Sequence, residues 1–378
     1  MRFTQGSSMT PIRGAFAVLF SFAFVASTNL FAQTTQPKSS AASADVLAEK
    51  AAAAPAGRAS APRSLVPLPA KPAPTSSHAP FEAGDCKICH QNADPKQPGP
   101  VLKKGPALCL DCHEEFNGVM KRAHTHAPAR TDCTSCHNPH NSAFPKLLLL
   151  EPRALCVSCH EKIGKLHDSA KVPHKALTTS KQCSNCHNPH GSTVEKLLIQ
   201  LPFDLCVNCH SVDTMADANG KKLQNIKAWL LDNPKQHGPV ASKDCNDCHE
   251  PHGGDLFRLI NQDYPPEFYA PYDAKNYGLC FGCHREKAFS TAQTTTLTSF
   301  RNGATNLHYL HLQQSGRGRT CRACHEVHAA KQDHLIRDGV PYGSGGWILK
   351  LNYKKTATGG SCEKTCHAEK SYANRTAP

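Results

Sequence analysis

The chain is short of apolar side chains, of methionine and of long hydrophobic runs. Hydrophobic residues make up 39% of its 378 residues, and the mean hydropathy is −0.46. That is thin for a chain of this length to build a core from its own side chains. Only four methionines occur, and Met1 and Met9 fall in the first few residues, leaving Met120 and Met215. One apolar stretch, 15–26 (AFAVLFSFAFVA), stands out. It is shorter than the roughly 20 residues of a membrane span. No cysteine precedes Cys86, so no lipid anchor on an N-terminal cysteine is expected. With 28 prolines and 24 glycines, long regular elements are not expected either.

Cysteine and histidine are abundant. Twenty cysteines and 23 histidines are present. Nine Cys-x-x-Cys-His motifs use Cys86, Cys89 and His90; Cys109, Cys112 and His113; Cys133, Cys136 and His137; Cys156, Cys159 and His160; Cys183, Cys186 and His187; Cys206, Cys209 and His210; Cys245, Cys248 and His249; Cys280, Cys283 and His284; and Cys321, Cys324 and His325. A tenth, Cys362-Glu-Lys-Thr-Cys366-His367, is one residue longer. Every cysteine is used, so no thiol remains for a disulfide or a nucleophile. Cys-x-x-Cys-His is the attachment signature of c-type haem. Two thiols add to the two vinyl groups of one porphyrin, and the adjacent imidazole binds the iron. A zinc site also uses cysteine and histidine, but it does not require a histidine directly after every second cysteine. Ten covalently attached haems are therefore expected, with the ten motif histidines as proximal ligands.

Thirteen histidines remain. His78, His126, His174, His237 and His311 precede the first motif of each pair by 7 to 10 residues. His140, His190, His252 and His328 follow a motif histidine by three. These nine are candidate distal ligands. The first pair has no second histidine after His90, and His124 is taken as the tenth, against His167, His308 and His334. An iron with two imidazoles has no open position and exchanges electrons only. The two methionines outside the N-terminal segment cannot serve ten irons, so His/Met ligation is not expected. No Cys-x-x-Cys-Lys motif supplies a lysine-ligated site.

Three domains are read. Residues 1–32, with Arg2 and Arg13 before the apolar stretch and Leu-Phe-Ala before Gln33, look like a secretory signal. Residues 33–77, rich in Ala, Pro, Ser and Thr, read as a disordered linker. Residues 78–378 hold five paired-motif repeats, 86–113, 133–160, 183–210, 245–284 and 321–367. The first three pairs share an interval of 23 residues; the fourth is longer by 12 and the fifth by 18. The expected fold is mostly irregular, with short α-helices and little or no β-sheet, wrapped around stacked haems. A longer helix is expected over 212–231, from apolar spacing at Leu223, Ile226 and Leu230.

The formal charge of +13 raises nucleic acid as a partner. The basic residues are scattered, however, and each haem brings two propionates. Ten haems shift the total to about +3 when ferric and about −7 when ferrous. No nucleic-acid partner is expected.

The pattern Cys183-Ser-Asn-Cys186-His187-Asn-Pro-His190, repeated at 133–140 and followed 23 residues on by a second, Leu-preceded motif, resembles the doubled-CXXCH multihaem cytochrome c family. The chain is similar to decahaem periplasmic cytochromes that partner outer-membrane porin conduits. That resemblance implies that His140, His190 and His252 each serve a neighbouring haem. It also implies an exported electron carrier, periplasmic, outer-membrane-associated or extracellular, with redox protein partners: an inner-membrane quinol-oxidising cytochrome or an outer-membrane porin and cytochrome conduit. Two other readings are weighed. One is an enzyme of the nitrite- or hydroxylamine-converting kind, with one open haem. The other is self-association into a haem filament in which His78 ligates the next subunit's haem.

Overall fold

The computed structural model describes residues 73–375, apart from 218, 344 and 345. The signal reading and nearly all of the linker lie outside the described residues. Thr75–Ser77, assigned to the linker from composition, belong to the fold. Ser76 and Ser77 pair antiparallel with Ser142 and Asn141, and Ser76 Oγ donates to Phe144 O at 2.6 Å.

Each motif is one tight turn. In nine of them the histidine N–H donates to the carbonyl of the first cysteine, at 2.8–3.0 Å. In four of the five pairs the first motif forms a short 3-10 turn, as at Cys86–Ile88, Cys133–Ser135 and Cys321–Ala323. The second ends a short helix, as at Pro106–Cys109, Pro152–Val157 and Pro202–Val207. Proline starts these helices because its missing N–H and fixed φ suit the first turn. The leucine before each second motif is thereby carried on a helix. The tenth motif differs, since Cys362 closes the strand Gly359–Cys362.

The His-x-Pro segments have a local cause too. His78, His126 and His237 sit at the N-caps of Ala79–Glu82, Ala127–Thr131 and Gly238–Ala241, with extended backbone and proline in the first turn. Proline at the second helical position needs no N–H partner there and has a φ that suits the first turn, so the helix opens directly after the extended histidine.

Successive repeats are stitched by main-chain bonds. His78 N donates to His140 O at 2.8 Å, His126 N to His190 O at 3.1 Å and His237 N to His328 O at 3.0 Å. The third repeat uses the bridge between Val172 and Gly254 instead. These two-residue ladders are three of the six sheets among the described residues. Longer strands occur only near the C-terminus among the described residues: a hairpin of Gly339–Tyr342 with Trp347–Lys350 and a three-stranded sheet of Tyr353–Lys355, Gly359–Cys362 and Lys370–Ala373.

Side-chain packing is concentrated in the fourth and fifth repeats. Tyr277 is fully buried and meets Tyr264 edge to face, with ring centroids 5.8 Å apart. Tyr264 Oη accepts the Arg322 N–H at 2.8 Å. The tyrosine-rich insert therefore anchors repeat four to repeat five. The helix expected over 212–231 is confined to Ile226–Asp232. Upstream, Asp217 Oδ1 accepts the N–H groups of Asn219 and Lys221, and Gly220 takes φ +77°. The carboxylate stabilises a turn in competition with the helix. No helix among the described residues is long and apolar enough to cross a membrane.

Candidate haem sites

Every proximal histidine of the nine regular motifs faces a second imidazole. In one series the partner lies upstream in the same repeat: His78 with His113 at 6.1 Å between ring centroids, His126 with His160 at 6.1 Å, His174 with His210 at 6.4 Å and His237 with His284 at 6.1 Å. In the other series the partner belongs to the next repeat: His90 with His140 at 6.2 Å, His137 with His190 at 6.0 Å, His187 with His252 at 6.3 Å and His249 with His328 at 6.2 Å. A ninth pair joins His308 to His325 at 6.4 Å. An imidazole nitrogen sits about 2 Å from a transition-metal ion and about 1.1 Å from its own ring centre, so two imidazoles on one ion stand about 6 Å apart. The ring pairs thus leave room for one metal each. His311 and His367 line a common cavity, and the charge of His367 acts on His311.

The protonation pattern agrees. Nδ1 of His78, His90, His126, His137, His174 and His187 lies 2.7–3.0 Å from a backbone carbonyl oxygen. A carbonyl only accepts, so Nδ1 carries the proton and Nε2 keeps its lone pair for a metal. Burial favours the neutral ring. It holds His174, His187, His210 and His249 below the usual histidine range, with His328 pushed down to about 4 and His308 to about 3.

The carbonyls that orient the odd-numbered proximal histidines come from a strained turn. Lys146 and Leu147, Lys196 and Leu197, Arg258 and Leu259, and His334 and Leu335 all take φ between +56° and +60°. The first residue of each couple accepts from the histidine nine positions earlier; Lys196 O, for example, lies 2.8 Å from His187 Nδ1. In the first repeat Gly99, at φ +72°, has this role for His90. A left-handed non-glycine residue costs roughly 1–2 kcal/mol. Lys196 is exposed. Lys196→Gly should therefore stabilise the protein by about 0.5–1 kcal/mol, after allowing for glycine's larger unfolded-state entropy. Denaturant melting reads the gain, and a loss of stability would contradict the strain.

The histidine chosen as tenth ligand is not where the structure puts an imidazole pair. His124 is stitched by its backbone to Ser192, and no described motif histidine stacks against it. His308 takes the place opposite His325. The reason is a register offset. Each post-motif Pro-His, or Val-His in repeat five, serves the preceding repeat, so the first repeat needs none and the last first-motif site needs a substitute. His308 supplies the partner of His325 from the helix Leu307–Leu312, which also carries His311. Buried Asn306 caps that helix, accepting from His308 N at 3.0 Å and Tyr309 N at 3.4 Å. The signal in the sequence was the i, i+3 histidine spacing. His334 contributes its carbonyl to His325 at 2.8 Å, and His167 Nδ1 lies against Asp168 at 3.2 Å and Arg153 at 3.3 Å.

The cysteines link the sites in order. Cys109 lies beside Cys133, Cys156 beside Cys183, Cys206 beside Cys245 and Cys280 beside Cys321. Within repeats, Cys89 lies near Cys112, Cys136 near Cys159, and Cys186 near Cys209. Cys248 lies near Cys283, and Cys324 near Cys362. Each attachment turn therefore neighbours the next along the whole series. Among the described residues no three His, Cys, Asp or Glu side chains converge as a metal cage; the imidazoles meet in twos, one couple to a site. In the second half these sites merge into a cavity of about 2270 Å³.

Attachment turns carrying two cysteines and a histidine, each histidine faced by another imidazole, define a c-type cytochrome with several covalently bound haems. A family model described as "Doubled CXXCH motif" matches residues 78–118, 126–165, 174–215 and 237–289. The chain belongs to this doubled-CXXCH family of multihaem cytochromes. The match takes in four of the five pairs; the pair at 321–367 lies beyond it. A search of curated proteins found no match.

Proposed function

We propose that the protein is an electron carrier holding ten haems, each closed by two histidines, and that it works outside the cytoplasm between redox proteins. Bound haem supplies one-electron exchange at iron. The chain's part is to fix each attachment point, orient each imidazole through Nδ1 and keep neighbouring turns in contact. The observation that carries this reading is the set of facing histidine pairs, ordered along a continuous series of touching motifs.

The same observation weighs against the alternatives. The first site, which lacks its own Pro-His, is faced by His140. His78 lies against His113 of its own chain, which leaves it no part in bridging to another subunit. The N-terminal segment supports export, and the family resemblance supports an inner-membrane quinol-oxidising cytochrome as donor and an outer-membrane porin conduit as acceptor.

Intact mass of the mature protein should count ten haems and locate the cleavage site. The reduced protein should bind no carbon monoxide. One bound equivalent in the unmodified chain would favour the enzyme, and a mass that changes with dilution would favour the filament.

A further inference from the structure

The site of His249 and His328 differs from its counterpart one repeat earlier. There, Glu250 Oε1 accepts from His252 Nδ1 at 2.8 Å. At the corresponding position Glu326 is drawn away to Arg337 by an ion pair of 2.9 Å. Its Oε1 stands 3.8 Å from His328 Nδ1, beyond a hydrogen bond. His328 Nδ1 is sealed from water and has no partner, and so is Arg322 Nε.

Cations surround this site. Arg258, Arg322 and Arg337 line the same cavity as His249 and His328. Their guanidinium charges are the permanent ones that press on His328. Arg337 and Glu326 are almost wholly enclosed, with side chains 12% and 9% exposed. Asp217 offsets Arg258 in part. Excess guanidinium charge facing a cavity calls for an anion, and haem propionates are carboxylates that an arginine fork matches.

We propose that Arg258, Arg322 and Arg337 hold the haem attached at Cys245 and Cys248 at the highest reduction potential in the chain, so that it takes the first electron. This rests on the reading of His249 and His328 as the two ligands of that haem. Reduction adds one electron to iron, and the net charge of the iron and porphyrin ring falls from +1 to zero. Nearby cations favour the more negative form. An imidazole whose Nδ1–H lacks an acceptor is also a weaker electron donor than one bonded to a carboxylate, which again favours ferrous iron.

The test is a mediated optical redox titration of the mature protein, with haems first counted by intact mass. In Arg322→Gln the component reduced first should move to lower potential. Its reduced-to-oxidised ratio at fixed potential should fall about tenfold, about 59 mV for a one-electron couple. Arg322→Lys should restore most of the shift. Arg258→Gln, which removes a second charge from the same cavity, should move the same component, and it reads the effect if Arg322→Gln does not mature. Ten haems with superimposable titrations, or a shift confined to a later component, would overturn this inference alone. A mature protein lacking the haem at Cys245 and Cys248 would overturn it together with the ligand reading beneath it.

Discussion

His308→Ala should convert a single haem, the one held by His325, into a site that binds carbon monoxide. In the native chain His308 stands 6.4 Å from His325, ring centre to ring centre. Phe289 and Phe300 flank it at 5.0 and 5.1 Å, and Thr298 Oγ1 lies 3.1 Å from its Nδ1. The helix that carries it is fixed by Asn306, whose Nδ2 donates to Ala288 O at 2.9 Å and Thr291 O at 2.8 Å. Alanine keeps that helix and removes the imidazole. The iron held by His325 would then have an open axial position, seen as a high-spin band and one equivalent of bound carbon monoxide per chain. His124→Ala should leave the spectrum and the carbon monoxide stoichiometry unchanged. The reverse outcome would restore His124 as the ligand and remove the register offset from the account.

Blocking haem attachment should abolish the fold. The polypeptide has little apolar core of its own: Tyr277, Tyr264 and Ile260 form its buried cluster, while Leu201 and Leu231 remain 61% and 78% exposed. The sites of the second half leave a cavity of about 2270 Å³ between loops. Cavities of this size cannot persist in a marginally stable chain, because interiors are close-packed. Chain expressed without attachment should show an unfolded far-ultraviolet spectrum and no cooperative melting transition. A cooperative transition in the haem-free chain would show that side-chain packing suffices.

The attachment turns, and the eight of nine distal candidates that come to face a motif histidine, were legible because they stand at short fixed spacings from the motifs. His308 was not, because the shortage of a ligand was placed at the first repeat, which lacks a post-motif histidine, whereas four of the nine facing pairs join successive repeats, 50 to 79 positions apart, and leave the shortage at the last. The left-handed couples such as Lys196 and Leu197 were also hidden, since nothing in a Lys-Leu dipeptide marks positive φ. The fold class of short helices and loops followed from proline, glycine and thin hydropathy. The helix over 212–231 was overcalled where the Asp217 carboxylate holds a turn.

The offset between repeats gives the molecule a direction. An interior unit receives one imidazole from the unit after it and lends one to the unit before it, so each interior unit is interchangeable in its demands. Copying the second or third unit would lengthen the series of sites without altering either end, whereas the final unit, finished by the helix Leu307–Leu312, cannot be moved inward. Growth by duplication is open to this architecture at its second and third repeats; the first lends no histidine and the fourth is tied to the fifth.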